Sequence, residues 1–138
     1  MSSLPVGLTP TLSLATVTLV VPDYDAGIAF YRDALGFDLV EDTELGGGKR
    51  WVVVAPQNGA ALLLAKAAND AQRTAIGNQA GGRVSFFLQT DSFADTHARF
   101  TAAGVSFLEQ PRSEPYGTVA VFSDPFGNRW DLIEPKAP

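Results

Sequence analysis

The sequence predicts an α+β fold made of two βαβββ modules, whose sheets curl into a half-barrel around a cleft. Two observations carry this prediction. Runs of β-branched residues alternate with one helical stretch per half, in the same order twice, and landmark residues recur at a fixed offset. Asp91, Ala94 and Gly104 each lie 68 residues after Asp23, Ala26 and Gly36, and Gly127 stands in the same relation to Gly59. A third observation bounds the answer: 138 residues suit one domain whose two modules share a core, since a chain of this size buries roughly two-thirds of its unfolded surface.

The first module spans residues 12–66. Thr16-Val-Thr-Leu-Val-Val-Pro-Asp23 reads as a strand ending at a helix cap, because Pro stops the ladder and Asp offers a carboxylate to free helix N–H groups. From Asp23 to Leu35 the apolar residues Ile28, Tyr31 and Leu35 share one helical face, and Gly36 follows as the permissive residue at a helix end. Phe37 to Val40, Trp51 to Val54 and Ala61 to Leu64 complete the module as strands. Glu41-Asp-Thr-Glu44 and Gly46-Gly-Gly-Lys-Arg50 read as a mobile loop or flap. Residues 67–82, with little periodicity, read as a linker.

The second module spans residues 83–135. Val84 to Thr90 is strand-like, Asp91 stands at the cap position, and Val105-Ser-Phe-Leu108, Thr118 to Phe122 and Trp130 to Ile133 supply the remaining strands. Proline presets one turn dihedral in Asp124-Pro-Phe-Gly-Asn128 and glycine takes another, so this is a tight connection between two strands.

Composition excludes several function classes. With no cysteine, disulfides, thiolate metal sites and thiol nucleophiles are ruled out, and the chain suits a reducing cytoplasm. A formal net charge of -5 with scattered Lys and Arg argues against nucleic acid. No apolar run approaches the roughly 20 residues of a membrane span, and Met1 to Pro10 lacks the basic start of a secretory signal.

The strand–cap–helix run from Thr16 through Ala29-Phe-Tyr-Arg-Asp-Ala-Leu-Gly-Phe37, together with Asp124-Pro-Phe-Gly-Asn-Arg-Trp-Asp-Leu-Ile-Glu-Pro135, resembles the vicinal-oxygen-chelate superfamily of glyoxalases, bleomycin-resistance proteins and extradiol dioxygenases. The resemblance covers Thr16 to Pro135. It implies a divalent metal held by His, Glu or Gln on the first and last strands of each half. The matching positions are Thr16, Val84, Leu63 and Asp131, with Ala61 and Ser85 as alternatives one or two residues away. Only Asp131 is a good donor, so the expectation is a member without a metal or other cofactor. The single histidine, His97, lies between Phe93 and Phe100 at helical spacing and reads as a packing residue.

Strand parity places Thr16, Thr18 and Leu63 on one cleft wall, with Phe86 and Asp131 on the other. Trp51 and Tyr116 are placed to close over it, while Trp130 has core parity. A buried Asp131 needs a partner, and Arg129, Arg83 or Thr16 are the candidates. The expected ligand is a small molecule, cationic or aromatic, and the resemblance implies a homodimer. No catalytic residue is named. Two further readings stay open: a metal-dependent lyase, isomerase or dioxygenase, and a metal-free enzyme using Asp131 as general base.

Overall fold

The structure, a computed structural model, describes residues 5–137. The stretch Met1 to Pro10, read above for a secretory signal, falls in part on residues 1–4, which lie outside that range. Two sheets form, with the same strand order. Sheet A contains β1 (Thr16–Val21), β2 (Asp38–Gly46), β3 (Lys49–Ala55) and β4 (Ala61–Lys66), in the order β1-β4-β3-β2. Sheet B contains β5 (Val84–Gln89), β6 (Ser106–Phe107), β7 (Arg112–Glu114), β8 (Gly117–Ser123) and β9 (Arg129–Pro135), in the order β5-β9-β8-β6, with β7 also on β8. In each sheet the first and last strands of the module run parallel and the others antiparallel.

The internal repeat holds, with two one-residue adjustments that offset each other. In β5 a bulge falls between Val84 and Phe86, so Val84 opposes Arg129 but Phe86 opposes Trp130 and Phe87 opposes Asp131. Thr18 opposes Leu63 in the first half, so after the bulge the offset between halves becomes 69. The first helix then restores it. α1 (Tyr24–Ile28) continues into a π-helical segment, Ala29–Ala34, in which Leu35 N–H bonds five residues back to Phe30 O at 3.0 Å. A π-turn holds one extra residue, and Gly36 and Gly104 again fall 68 apart, both at positive φ.

Local chemistry explains the element ends. The Asp23 carboxylate accepts from Ala26 N–H at 2.9 Å and caps α1. In the second half the cap shifts by one, from the expected Asp91 to Ser92, whose side chain makes no capping bond to α3 (Phe93–Ala102). Glu134 of β9 substitutes, accepting from Phe93 N–H at 2.7 Å. The linker is not featureless: it holds α2 (Asp70–Ala75), capped by Asn69. It is pinned at Gly77, where a Cβ would lie 2.0 Å from the Phe126 carbonyl oxygen.

Two expected strand boundaries also change. The acidic segment Glu41 to Glu44 is not a loop but part of β2, and the connection is the tight turn at Gly47 and Gly48, both at positive φ. Arg50 holds this hairpin to the helix through Asp42 at 2.7 Å and Asp25 at 2.9 Å. In sheet B the counterpart of β2 is broken into β6 and β7. Pro111, which has no N–H to donate, sits in the gap. Glu109 fills it by accepting from Val121 N–H at 2.8 Å.

Both modules share one core. Leu19, Val21, Val52, Val54, Leu62 and Leu64 of sheet A join Ala120, Phe122, Trp130 and Leu132 of sheet B in a single cluster with the helices. Tyr31 is the joint. Its hydroxyl donates to Asp124 Oδ2 at 2.6 Å and accepts from Trp130 Nε1–H at 3.1 Å. Asp124 also accepts from Phe126 N–H, Asn128 N–H and Asn128 Nδ2–H, so the turn motif and the first helix are locked together by one buried carboxylate. Burial and the adjacent Asp124 push the Tyr31 phenol far above its ordinary pKa, and it stays a neutral hydrogen-bond donor.

Candidate functional site

Strand parity leaves each sheet with one face in the shared core and one face outward. On sheet A the outer face carries Thr16 and Thr18 of β1, opposite Ala61 and Leu63 of β4. Val53 lies beside Leu63, and Trp51, opposite Thr43 of β2, extends the same face. The threonines are exposed, Leu63 is half-buried and Trp51 is 41% exposed. Glu41 adds a carboxylate here, with Thr43 Oγ1 donating to it at 3.1 Å. Four of the expected site residues, Thr16, Thr18, Trp51 and Leu63, thus share one surface.

The outer face of sheet B carries Phe87, Asp131, Val121, Val119 and Ile133. Phe86 is not on it. The bulge turns Phe86 inward, where its ring lies 4.5 Å from that of Trp130, and presents Phe87 outward at 70% exposure. A one-residue bulge reverses the facing of every later side chain in a strand. Tyr116 sits in the turn joining β7 to β8 and is exposed. His97 stacks between Phe93 and Phe107 with ring centroids 5.6 and 4.2 Å away.

Asp131 has none of its expected partners. Its Oδ1 is buried without a hydrogen bond among the described residues. The neighbouring cation is Arg112, which is committed to Glu109 at 2.8 Å and Glu114 at 2.6 Å. Burial pushes the Asp131 carboxyl above the usual carboxylate range; Arg112 opposes this and Glu109 adds to it. A partly dry carboxylate with an unused oxygen is poised to accept from a donor that arrives from outside.

The geometry of a metal site fails on donor chemistry. Thr16 and Val84 oppose Ala61 and Arg129, while Leu63 and Asp131 oppose Thr18 and Phe87; of the four expected positions only Asp131 is a carboxylate, and the nearest alternatives, Ala61 and Ser85, add at most a hydroxyl. Among the described residues no three His, Asp or Glu side chains converge.

The core faces of both sheets are occupied by the same cluster, so the wall bearing Thr18 and the wall bearing Asp131 both lie outside it. A depression of about 520 Å³ is lined by Arg83, Val84 and Phe87 at the β5 edge. Another, of about 160 Å³, lies along Ser113, Glu114, Thr118 and Glu134. Neither includes Thr16, Thr18 or Trp51. Nothing in the sequence pattern distinguishes two walls facing each other from two walls facing apart, since both satisfy the same alternation.

Comparison with known proteins agrees with this architecture. The family model described as Glyoxalase/Bleomycin resistance protein/Dioxygenase superfamily matches residues 13–132. An uncharacterized protein of Shewanella frigidimarina (strain NCIMB 400) is 50% identical over 125 residues, covering 88% of this chain and 93% of that protein. Among solved structures, UcmS2 is 30% identical with a TM-score of 0.77, covering 90% of this chain and 98% of its own. TnmS3, described as an antibiotic binding protein from Streptomyces sp. CB03234, is 28% identical with a TM-score of 0.75, covering 94% of this chain and 100% of its own.

Proposed function

Since the chain belongs to the Glyoxalase/Bleomycin resistance protein/Dioxygenase superfamily, we propose that it is a small-molecule binding protein that works without a metal and sequesters a cationic or aromatic compound. The observation that carries this reading is the pair of unspent outer faces. One offers hydroxyls and an indole (Thr16, Thr18, Trp51, with Leu63 between), and the other offers an exposed phenyl ring and an unpartnered carboxylate (Phe87 and Asp131). An aromatic face and a dry carboxylate together favour a flat cation. Likeness to an antibiotic binding protein supports a small-molecule ligand.

Each face alone is a half-site, and the complete cleft needs two. The reading is therefore a homodimer in which sheet A of one copy faces sheet B of the other, with Tyr116 at the rim. Two-fold pairing closes both clefts at once, because the same two surfaces meet twice. A cytoplasmic location accords with the absence of cysteine, and no helix among the described residues is long and apolar enough to cross a membrane.

The experiment is a thermal-shift titration of chelator-treated protein against a panel of aromatic cations, and separately against Ni²⁺, Mn²⁺, Fe²⁺ and Zn²⁺. Ligand at a hundred times its Kd adds about 2.7 kcal/mol of stability. A saturable shift with an aromatic cation and none with the metals supports the reading, and a saturable metal shift contradicts it. A second reading, Asp131 as general base, is favoured by the unused oxygen and raised pKa of that residue. Asp131→Asn separates the two: loss of turnover with retained affinity marks catalysis, and loss of affinity marks binding.

A further inference from the structure

Under the 68-residue offset the connection between β3 and β4 corresponds to the turn between β8 and β9, and the two are held very differently. In the second half Asp124 closes the turn on itself. Its carboxylate accepts from Phe126 N–H and Asn128 N–H, both at 2.9 Å. Its backbone oxygen accepts from Gly127 N–H at 3.3 Å, and its own N–H donates to Asn128 O at 2.9 Å. In the first half the counterpart of Asp124 is Pro56, which has neither a carboxylate nor an N–H to offer. The counterparts of Phe126 and Gly127 are Asn58 and Gly59. Both are exposed, and among the hydrogen bonds of the described residues none involves either of them. Gly59 has a φ of +90, with open space where a Cβ would stand.

Asn58 is also the one asparagine of the chain that precedes a glycine. The others are placed differently. Asn69 caps α2, its side-chain oxygen accepting from Gln72 N–H at 2.9 Å. Asn128 is buried, and its amide donates to Asp124 Oδ2 at 2.7 Å. Asn78 precedes Gln79, whose side chain is fixed on β1 by bonds to Val20 N–H at 2.6 Å and Thr18 O at 3.0 Å. An asparagine amide carbon lies within reach of the next residue's backbone nitrogen only if the chain between them rotates. Glycine allows that rotation at the least steric cost, and an exposed connection without hydrogen bonds leaves it free.

We propose that Asn58 is a site of spontaneous deamidation, at which the Gly59 backbone nitrogen attacks the Asn58 side-chain carbonyl carbon to form a succinimide that water then opens. As the new N–C bond forms, the Gly59 N–H proton passes to solvent base and the side-chain nitrogen leaves as ammonia. Water adding to the former side-chain carbonyl breaks the new bond and gives aspartate. Water adding to the Asn58 main-chain carbonyl breaks the original peptide bond instead and gives isoaspartate, with the chain now running through the side-chain carbon and longer by one methylene. Either product adds one negative charge, and no oxidant or reductant is consumed. The lengthened connection leads into β4 at Ala61, whose N–H bonds to Ala15 O at 2.9 Å and which opposes Thr16. Isoaspartate would therefore disturb sheet A beside the outer wall while leaving the buried joint at Tyr31 untouched.

The test ages the intact, folded chain in mildly alkaline buffer, digests it, and follows each asparagine peptide by mass spectrometry with electron-transfer fragmentation, which separates aspartate from isoaspartate. Conversion is expected at Asn58, at a rate within about tenfold of that of a synthetic peptide spanning residues 55–61, because the connection needs no local opening before the ring closes. The reacting species is the deprotonated Gly59 nitrogen, so the rate should rise about tenfold per pH unit, as the ionised fraction of any group does far below its pKa. Asn69, Asn78 and Asn128 should stay intact over the same interval. Gly59→Ala should slow the reaction at least tenfold, and Asn58→Ser, which keeps an exposed polar side chain but cannot close the ring, should yield no isoaspartate at this turn, both with an unchanged circular dichroism spectrum. A folded-chain rate more than tenfold below that of the peptide overturns the proposal, since the connection would then be held shut. Conversion that arises first at another asparagine overturns it as well, and so does a wild-type rate in the Gly59→Ala chain.

Discussion

Replacing Tyr31 with Phe isolates the joint between the two modules, because it removes one oxygen from a fully buried ring and leaves the ring's volume in place. The hydroxyl gives Asp124 a hydrogen bond of 2.6 Å and takes one of 3.1 Å from Trp130 Nε1–H. A hydrogen bond to a charged group contributes roughly 1.5–3 kcal/mol. Asp124 keeps three other donations, from Phe126 N–H, Asn128 N–H and Asn128 Nδ2–H, so the lower end applies to it. Trp130 is left with a buried N–H and no acceptor, which costs about 1–2 kcal/mol more. The expected loss is about 3 kcal/mol. With an unfolding entropy of about 2.1 cal/mol/K per residue, a 138-residue chain should lose about 10 °C in Tm. Scanning calorimetry measures this directly. Tyr24→Phe is the control, since that hydroxyl only accepts from Arg50 N–H at 3.2 Å and its loss should cost about 1 kcal/mol or less. A Tyr31→Phe protein that melts within 2 °C of wild type, or a control that falls as far, would refute the claim that this hydroxyl ties the modules together.

Four other substitutions test neighbouring parts of the account. The Asp131 carboxyl has its pKa raised by folding, so its contribution to stability is full below the unfolded carboxylate pKa and is lost as pH rises through the folded value; Asp131→Asn should therefore stabilise the unliganded protein at neutral pH, with the gain vanishing on acidification in urea titrations. Phe86→Ala removes a ring packed on Trp130 and should cost about 3 kcal/mol, whereas Phe87→Ser should change monomer stability by no more than about 0.5 kcal/mol; equal costs in denaturant melts would contradict the bulge. Gly77→Ala places a Cβ 2.0 Å from the Phe126 carbonyl oxygen at a φ of +69 and should destabilise by about 2 kcal/mol or more, measured by the same melts.

How far the fold can be read from the residues depends on what kind of signal each feature leaves. The cap at Asp23 and the helix-ending glycines Gly36 and Gly104 are written as single residue types with one physical use, and the repeat in the strand order followed from them. The bulge at Ser85 and the π-turn after Ile28 leave no such mark. Each inserts one residue into an otherwise regular element, so the apolar alternation stays plausible on either side while its facing changes, and this put Phe86 on the wrong wall. Glu41 to Glu44 looked like a loop because charged residues on an outer strand and charged residues in a loop have the same composition; only Gly47 and Gly48, at positive φ, mark the turn. The break in sheet B was signalled by Pro111, but the use of Glu109 to fill it depends on a bond across 12 residues that no local pattern encodes. How the two modules sit against each other is a matter of how Tyr31, Asp124 and Trp130 meet, and Tyr31 lies more than 90 positions from the other two.

The central claim is that a small-molecule cleft takes one wall from each of two copies, and a mixing experiment tests it most directly. Trp51→Ala damages only the sheet A wall and Asp131→Ala only the sheet B wall, so each variant dimer has two damaged clefts. A mixed dimer has one cleft with both defects and one with none. Binding of an aromatic cation such as ethidium, followed by its fluorescence, should be weak for either variant alone and should return on mixing to one wild-type site per mixed dimer. Mixing that restores no binding above the two parent variants, with wild type binding normally, would contradict the claim and place both walls in a single chain.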